Sequence, residues 1–245
     1  MCFAAEIEYI NLIFKTMLKE NQRVVDLSNV DTNAKAFILG VQCGFQFGNK
    51  SIDYLEHGIL RVEKDWRYTD YNIFKDFVER EFDATVVSYD NERIKNGFIE
   101  RAQRKCYDID INEYRWVRCY RYYNAYIRIT PQSRCYINES LPMLKKDFYP
   151  YLLFGIFYNS GNVRNGECSF LTSKRAAKTL KKQLKNWYDI DVMFTTSVDM
   201  GNFSCIYIKN NGSIEKFFDI LPKDYIEIFK EKWSKNEDFK KMLCR

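Results

Sequence analysis

The feature that most constrains the fold of this chain is an internal repeat. Each half begins with an apolar segment that carries glycines: FILGVQCGFQFG, anchored at Gly40, and YLLFGIFYNSG, anchored at Gly155. Each is followed by a strand pattern, a helix pattern with a hydroxyl or acidic cap (TDYNIFKDFVEREF and SKRAAKTLKKQLKNWY), and a β-rich stretch (DATVVSY and DIDVMFT). The order αββαββα is therefore predicted twice, with an insertion around residues 91–113 of the first copy.

The glycines predict a close contact between the two apolar helices. Gly40 and Gly44 lie four residues apart on one helical face, and Gly155 and Asn159 hold the equivalent positions in the second copy. Because glycine has no Cβ, a partner backbone can approach at these positions. We predict an α+β fold in which two pseudo-symmetric αββαββα repeats share a saddle-shaped antiparallel sheet. The alternative is two ordinary buried helices with chance glycines.

The repeat divides the 245 residues into four segments. We predict an N-terminal helix within 1–32, the first repeat with its insertion over 33–146, the second repeat over 147–221 and a C-terminal helix over 222–245. Two repeats in one chain supply an internal two-fold pairing, so a monomer is expected.

The composition excludes several classes of enzyme. His57 is the one histidine, so a His-rich metal site is excluded and a Ser/His/Asp triad is disfavoured. We expect His57 to lie on the surface. None of the eight cysteines forms a CxxC pair, and no P-loop, GxGxxG, HExxH or GxSxG is present. We therefore predict no cofactor, no metal site and no catalytic residue.

The N-terminus carries Glu6 and Glu8 and lacks the basic region of a signal peptide, and no window is apolar enough to span a membrane. A reducing, cytoplasmic location is expected, in the host cytoplasm if the chain is viral. Cys119 and Cys135 could form a disulfide in principle.

The two apolar segments resemble the LAGLIDADG motif of homing endonucleases. The second copy, LLFGIFYNSGNV, is the better match and is similar to the degenerate motif G-x-F-x-x-S-G-x-V of WhiA-type regulators. The continuation ECSFLTSKRAAKTLKKQL also fits, and the resemblance covers most of residues 33–221. It implies a DNA-binding fold in which one carboxylate from each copy binds a divalent metal for phosphodiester cleavage.

Both copies depart from the family at the acidic positions. The metal-binding acid before the final glycine falls on Phe45 and Ser160, and the other acidic motif position falls on Cys43 and Tyr158. Gly161 keeps the closing glycine, whereas the first copy has glutamine there. These departures predict that cleavage has been lost. Asp53 and Glu56 could supply carboxylates only in a shifted register.

A segment rich in arginine and aromatic residues is the predicted nucleic-acid or partner interface. Strand periodicity between residues 114 and 137 mixes guanidinium and aromatic groups on both faces, which suits phosphate and base contacts. The alternative is a solvated sheet on which arginine stems cover aromatic rings. The candidate residues are Arg115, Trp116, Arg118, Arg121, Tyr123, Arg128 and Arg134.

A second basic cluster lies on the helix that starts after Ser173. Its basic residues could bind phosphates. We expect instead that they form a solvent-exposed outer face of the helix, while Ala176, Ala177, Leu180 and Leu184 pack on the sheet.

The sequence is compatible with three functions. The first is non-catalytic binding of double-stranded DNA through the saddle sheet. The second is a phage or mobile-element inhibitor or adaptor that binds a protein or nucleoprotein complex, for example an anti-defence protein. The net charge of only +5 keeps this protein partner open. The third is an active homing endonuclease.

Overall fold

The computed structural model describes residues 24–43, 59–64, 68–83, 87–90, 103–108, 113–118, 123–130, 133, 144–164, 166–195, 203–233 and 236–243. The chain divides into two compact units: one holds the described residues between 63 and 126, and the other holds the described residues of 24–62 and 127–243. The N-terminal helix predicted within 1–32 and the histidine at position 57 lie outside the described residues, apart from an irregular segment that begins at residue 24.

The described helices and strands confirm an α+β chain. In order they are α1 (Asn33–Cys43), β1 (Ile59–Lys64), α2 (Tyr68–Phe82), β2 (Val87–Asp90), β3 (Gln103–Asp108), β4 (Glu113–Arg118), β5 (Tyr123–Arg128), α3 (Tyr149–Ser160), β6 (Asn162–Arg164), β7 (Glu167–Ser173), α4 (Lys174–Tyr188), β8 (Met193–Thr195), β9 (Phe203–Ile208), α5 (Asn211–Ile220), α6 (Lys223–Ile228) and α7 (Glu237–Leu243). Short 3₁₀ helices span Lys146–Phe148 and Lys230–Trp233. No helix among these described elements has the length and hydropathy that a membrane crossing requires.

The described residues of the first unit include helix α2 and strand residues of two sheets: the three-stranded sheet β1-β5-β2 and the two-stranded sheet β3-β4. Helix α2 buries Phe74, Phe77 and Val78 at helical spacing. Strand β2 pairs antiparallel with β5, and β3 pairs antiparallel with β4 as a hairpin. Strand β3 falls in the insertion predicted around residues 91–113, where the polar composition gives no clear strand pattern.

The second unit contains a complete αββαββα run, from α3 to α5, as predicted for the second repeat. Its four strands form an antiparallel sheet in the order β6-β7-β9-β8. Because these four strands form a sheet of their own, a saddle shared by both repeats remains a prediction.

Local capping explains where α1 and α4 begin and where α4 ends. The Thr32 hydroxyl accepts a hydrogen bond from the amide of Lys35 at 3.2 Å, and the Ser173 hydroxyl accepts one from the amide of Ala176 at 3.1 Å. Asp189 ends α4 in the left-handed region, with φ 52°. The cap at Ser173 is the hydroxyl residue that the sequence pattern predicts.

The core of the second unit is aromatic and is completed by the C-terminal segment. Phe229 stacks on Phe37 of α1 with ring centroids 5.0 Å apart, and Trp233 stacks on Phe157 of α3 at 5.8 Å. Phe239 of α7 stacks on Phe157 at 6.0 Å. The single C-terminal helix predicted over 222–245 is instead three short helical pieces, because successive aromatic residues must turn inward to reach the α1–α3 pair.

Candidate nucleic-acid interface

Helices α1 and α3 contact each other backbone to backbone at the predicted glycines. A Cβ added to Gly155 would overlap the carbonyl oxygen of Phe37 and lie 2.7 Å from the Val41 amide nitrogen and 2.9 Å from the Gly40 Cα. A Cβ added to Gly40 would overlap the carbonyl oxygen of Leu152 and lie 2.9 Å from its carbonyl carbon. The paired-helix prediction is therefore confirmed at Gly40 and Gly155, whereas Gly44 lies outside the described residues.

Two side chains of the second repeat satisfy carbonyl groups at the C-terminal end of α1. The Asn159 side-chain amide donates to the carbonyl oxygen of Val41 at 2.9 Å, and the Thr172 hydroxyl donates to that of Cys43 at 3.2 Å. The last carbonyl groups of a helix have no partner within the helix. The end of α1 is thus fixed by α3 and β7.

Ser160, which stands where the motif resemblance implies a metal-binding acid, forms hydrogen bonds with the backbone of β7. Its hydroxyl lies 2.9 Å from the carbonyl oxygen of Leu171 and 3.1 Å from that of Ile156, and it accepts a hydrogen bond from the Leu171 amide at 3.0 Å. A Cβ on Gly161, the next residue, would overlap the Phe157 carbonyl oxygen. The end of α3 therefore packs against the sheet, with Ser160 as the link.

The other acidic motif positions are also filled by core side chains. Tyr158 is buried, with its ring centroid 4.7 Å from that of Phe229 and the Lys232 ammonium 4.5 Å above its ring. Cys43 is buried in the first copy, and burial raises the pKa of its thiol to about 12. Phe45 lies outside the described residues.

The described residues do not fit a divalent metal site at the end of the α1–α3 pair. Magnesium requires hard oxygen ligands with adequate negative charge, typically carboxylates. The described positions offer a protonated thiol, a packed tyrosine and a serine hydroxyl that is committed to two backbone groups. Among the described residues, no three His, Cys, Asp or Glu side chains are grouped so that they could hold a metal ion.

The four-stranded sheet has one covered face and one open face. On β7, Cys168, Phe170 and Thr172 are buried under helices, whereas the alternating residues are only partly buried. The strand register aligns the alternating positions of the other strands with them. The open face consists of Asn162, Arg164, Glu167, Ser169, Leu171, Met193, Thr195, Cys205 and Tyr207.

The open face is polar and weakly cationic. Arg164 stands opposite Glu167 in the strand register, and Lys209 at the end of β9 pairs with Glu167 at 3.1 Å. The Lys209 ammonium also lies 5.5 Å from the centre of the Tyr207 ring. Two cations and one carboxylate thus share the face with hydroxyl and amide side chains.

Three side chains on the open face form a neutral cluster. A hydrogen bond with Cys205 raises the pKa of Tyr207, while a hydrogen bond with Thr195 lowers it. Partial burial raises the pKa of the Cys205 thiol. Tyr207 and Cys205 are therefore uncharged at neutral pH and act as hydrogen-bonding groups.

The candidate residues chosen from sequence fall on two strands. Arg115, Trp116 and Arg118 lie on β4, and the register places Cys106 opposite Arg115, Lys105 opposite Trp116 and Gln103 opposite Arg118. The acidic pair Asp108 and Glu113 lies at the other end of this hairpin. Basic positions are therefore concentrated at the end away from the turn.

Tyr123 and Arg128 lie on β5, the central strand of the three-stranded sheet β1-β5-β2, which is separate from the hairpin. Arg121 and Arg134 lie outside the described residues.

The open-face residues were missed by the sequence reasoning, which followed the density of arginine. The signal that could have found them is the alternation of ECSFLTS, in which Cys168, Phe170 and Thr172 point to one face and leave Ser169 and Leu171 on the other.

No family model matches this chain, and no curated protein matches it. Solved structures give matches of low identity. Full-length DUF199/WhiA from Thermatoga maritima is 11% identical and has a TM-score of 0.48, with 88% of this chain and 67% of that chain covered. Mesophilic variants of the homing endonuclease I-DmoI are 11% identical with a TM-score of 0.48, over 80% of this chain and 96% of theirs. The homing endonuclease I-WcaI, bound to its DNA recognition sequence, is 13% identical with a TM-score of 0.43, over 81% and 86%.

The αββαββα order from α3 to α5 and the glycine contact between α1 and α3 are the features expected from the motif resemblance. The chain has a LAGLIDADG-like fold. Cys43, Tyr158 and Ser160 stand at the helix ends where the motif resemblance implies acidic residues.

Proposed function

We propose that this chain is a non-catalytic protein that binds double-stranded DNA, with the open face of the four-stranded sheet as a contact surface. The observation that carries the proposal is the asymmetry of this sheet. One face is covered by helices, and the other has exposed or partly exposed side chains, most of them polar, at alternate positions. An uncovered sheet face of this kind is available to a macromolecular ligand.

The chemistry of the open face suits a duplex groove. β-strands enter the major groove in several classes of DNA-binding protein, and Ser, Thr and Asn side chains bond to base edges there. Asn162, Ser169 and Thr195 supply such groups, and Arg164 supplies a guanidinium for phosphate or guanine. The β3–β4 hairpin is a second proposed contact, because its register gathers basic positions and Trp116 at one end.

The absence of cleavage is part of the proposal, and Ser160 supports it. Its hydroxyl is held by the backbone of Leu171 and Ile156, in the position where the family resemblance implies a metal-binding carboxylate. Tyr158 is buried among aromatic rings at the other acidic position. A bound duplex would therefore meet no metal-binding acid at the end of α3.

Fluorescence anisotropy of a labelled duplex pool, titrated at several salt concentrations with EDTA and with magnesium, tests the function. The double variant Arg164→Gln/Lys209→Gln should bind about 10-fold more weakly at 0.1 M salt, with the slope of log affinity against log salt reduced by about 2. The control Lys230→Gln/Lys240→Gln removes the same charge from paired, exposed lysines of the C-terminal segment and should bind like the parent chain.

Failure of the parent chain to bind any duplex at low salt would overturn the proposal. Magnesium-dependent cutting of the pool would overturn its non-catalytic part.

A protein partner is the second candidate, and Met193 favours it. Its side chain is 54% exposed at the edge of the open face, opposite Tyr207 in the strand register. Exposed Met and Tyr side chains are enriched in protein interfaces. A stable complex with a purified protein, free of nucleic acid and lost in Met193→Ser, would support this candidate over DNA binding.

A further inference from the structure

Helix α4 carries a row of lysines along its exposed side. With about 100° between successive residues, Lys174, Lys178, Lys181 and Lys182 fall within an arc of about 100°. All but Lys174, which is half-buried, are exposed. We call these four residues the lysine row. Lys185 continues its direction but forms ion pairs with Asp189 at 2.8 Å and Asp191 at 3.0 Å.

The positive charge of the lysine row is not neutralised by acidic residues of α4. The sequence KRAAKTLKKQLKNWY contains no Asp or Glu, and among the described residues no acidic side chain pairs with any of the four lysines. Like charges at i and i+4 destabilise a helix, and Lys174 stands at the N-terminus, where a cation opposes the helix dipole. Such local costs are expected at sites that meet a ligand of opposite charge.

The lysine row lies on the far side of the four-stranded sheet from the open face. Ala177, Leu180 and Leu184 of α4 are buried, and the ammonium of Lys181 lies 5.5 Å from the centre of the Phe194 ring. Phe194 pairs with the buried residue Ile206, which places it on the covered face. The row therefore lies on the side of α4 away from the sheet, with Lys181 at the border of that side, where its ammonium meets Phe194.

We infer that the lysine row is a second DNA-binding surface, which holds the phosphate backbone of a duplex without reading its sequence. Its four charges are spread along about 12 Å of helix, and a duplex offers one negative charge for every 1.7 Å or so of its axis. Thr179 and Asn186, which flank the row on the side of Lys182, are polar.

One chain would then hold two duplex segments, one on each side of the sheet. This part of the inference rests on the proposed function of the open face. The phosphate contact at α4 does not rest on it and can be tested alone.

The experiment compares three chains for anisotropy binding to a random 30-bp duplex. The row variant is Lys174→Gln/Lys178→Gln/Lys181→Gln/Lys182→Gln, which keeps good helix formers on an exposed face. The control is Lys223→Gln/Lys230→Gln/Lys240→Gln/Lys241→Gln, which removes the same charge elsewhere. The third chain replaces the row with arginine. Circular dichroism checks that each remains folded.

Each chain is also made with Arg164→Gln/Lys209→Gln, so that the open face does not mask the lysine row. In that background the row variant should lose affinity by at least about 10-fold at 0.1 M salt and reduce the salt slope by about 3 to 4, whereas the control and the arginine chain should bind like the background chain. Equal binding by the row variant and the control overturns the inference, as does a row that binds polyglutamate but no duplex.

The open-face variant Arg164→Gln/Lys209→Gln separates the two proposals. If it binds a duplex like the parent while the row variant does not, the proposed function of the sheet fails and the lysine row stands. If both surfaces act, a bead-bound duplex should capture a free labelled duplex through the parent chain but through neither variant. Without that capture, the bridging part is wrong.

Discussion

The hydroxyl of Thr172 donates a hydrogen bond to the carbonyl oxygen of Cys43 at 3.2 Å, which ties strand β7 to the last turn of α1. The two residues are 129 positions apart in the sequence, and both are buried. The contact joins the first repeat to the second through a side chain of β7, which lies outside both glycine-bearing segments.

We predict that Thr172→Val destabilises the chain by about 1–3 kcal/mol. Valine keeps the shape of threonine but leaves a buried helix carbonyl without its donor. Guanidinium unfolding measures the free energy. Thr195→Val is the matched control, because Thr195 is exposed on β8, and it should change the free energy of unfolding by no more than about 0.5 kcal/mol. Equal effects of the two substitutions would show that the Thr172 hydrogen bond contributes nothing.

The contact between α1 and α3 makes Gly155→Ala strongly destabilising. The added Cβ would meet the backbone of Phe37 and Val41, which cannot give way as a flexible side chain can. We expect a loss of about 3 kcal/mol or more, at the upper end of overpacking effects. Gly212→Ala in α5 is the control, because its Cβ meets only the Asn210 side-chain oxygen, at 3.3 Å. Thermal unfolding of both variants checks the contrast, and a Gly155→Ala chain as stable as the control would contradict the packing.

Restoring the acid at the motif position should not restore a nuclease. In Ser160→Asp, a carboxylate would face the carbonyl oxygens of Leu171 and Ile156, to which serine now donates. We expect a loss of about 1–3 kcal/mol relative to the parent and no magnesium-dependent cutting of supercoiled plasmid. Ser160→Ala serves as the control for the lost hydrogen bonds and should be less destabilising than Ser160→Asp. Cutting by the Ser160→Asp chain would mean that the site can bind metal after all.

The Cys43 thiol makes stability depend on alkaline pH. Its pKa is raised from 9.0 to about 12 by burial, so the folded chain keeps the proton that the unfolded chain releases above pH 9. The stabilisation from this thiol is present below pH 9 and is lost as the pH rises from about 9 to 12. The free energy of unfolding of the parent minus that of Cys43→Ala should therefore decrease over that pH range. The contributions of the other titrating groups are common to both chains and cancel in this difference.

Alkylation by iodoacetamide gives an independent test of the same burial. At pH 8 the partly exposed Cys205 should be modified before Cys43 and Cys168, which are buried. Mass spectrometry of digested samples orders the three sites. Early modification of Cys43 in the folded chain would contradict its position in the α1–α3 pair.

The sequence predicted the parts of the fold that rest on local rules. Ser173 begins α4 because a hydroxyl cap precedes an amphipathic run, and Gly40 and Gly155 mark a helix contact because only glycine permits it. The prediction of one helix for the C-terminal segment was wrong. Phe229, Trp233 and Phe239 must all reach the core, and the shape of that core depends on tertiary packing that local sequence patterns do not encode.

The candidate site was predicted less completely than the fold. Arginine density drew attention to residues 115–134, whereas the open face is recognised only when β6, β7, β8 and β9 are placed side by side. Which face of that sheet remains open depends on where α3, α4 and α5 pack, and this information is tertiary.

The contacts around α1 have a consequence for how the chain is assembled. The second repeat accepts α1 into a groove, bonds its terminal carbonyl groups through Asn159 and Thr172, and covers Phe37 with Phe154 and Phe229. Helix α1 thus binds the rest of its unit as a tethered peptide ligand would. The length of the connecting chain sets its effective concentration at the groove. Covalent linkage therefore favours occupancy of this groove by the chain's own α1 over a competing segment.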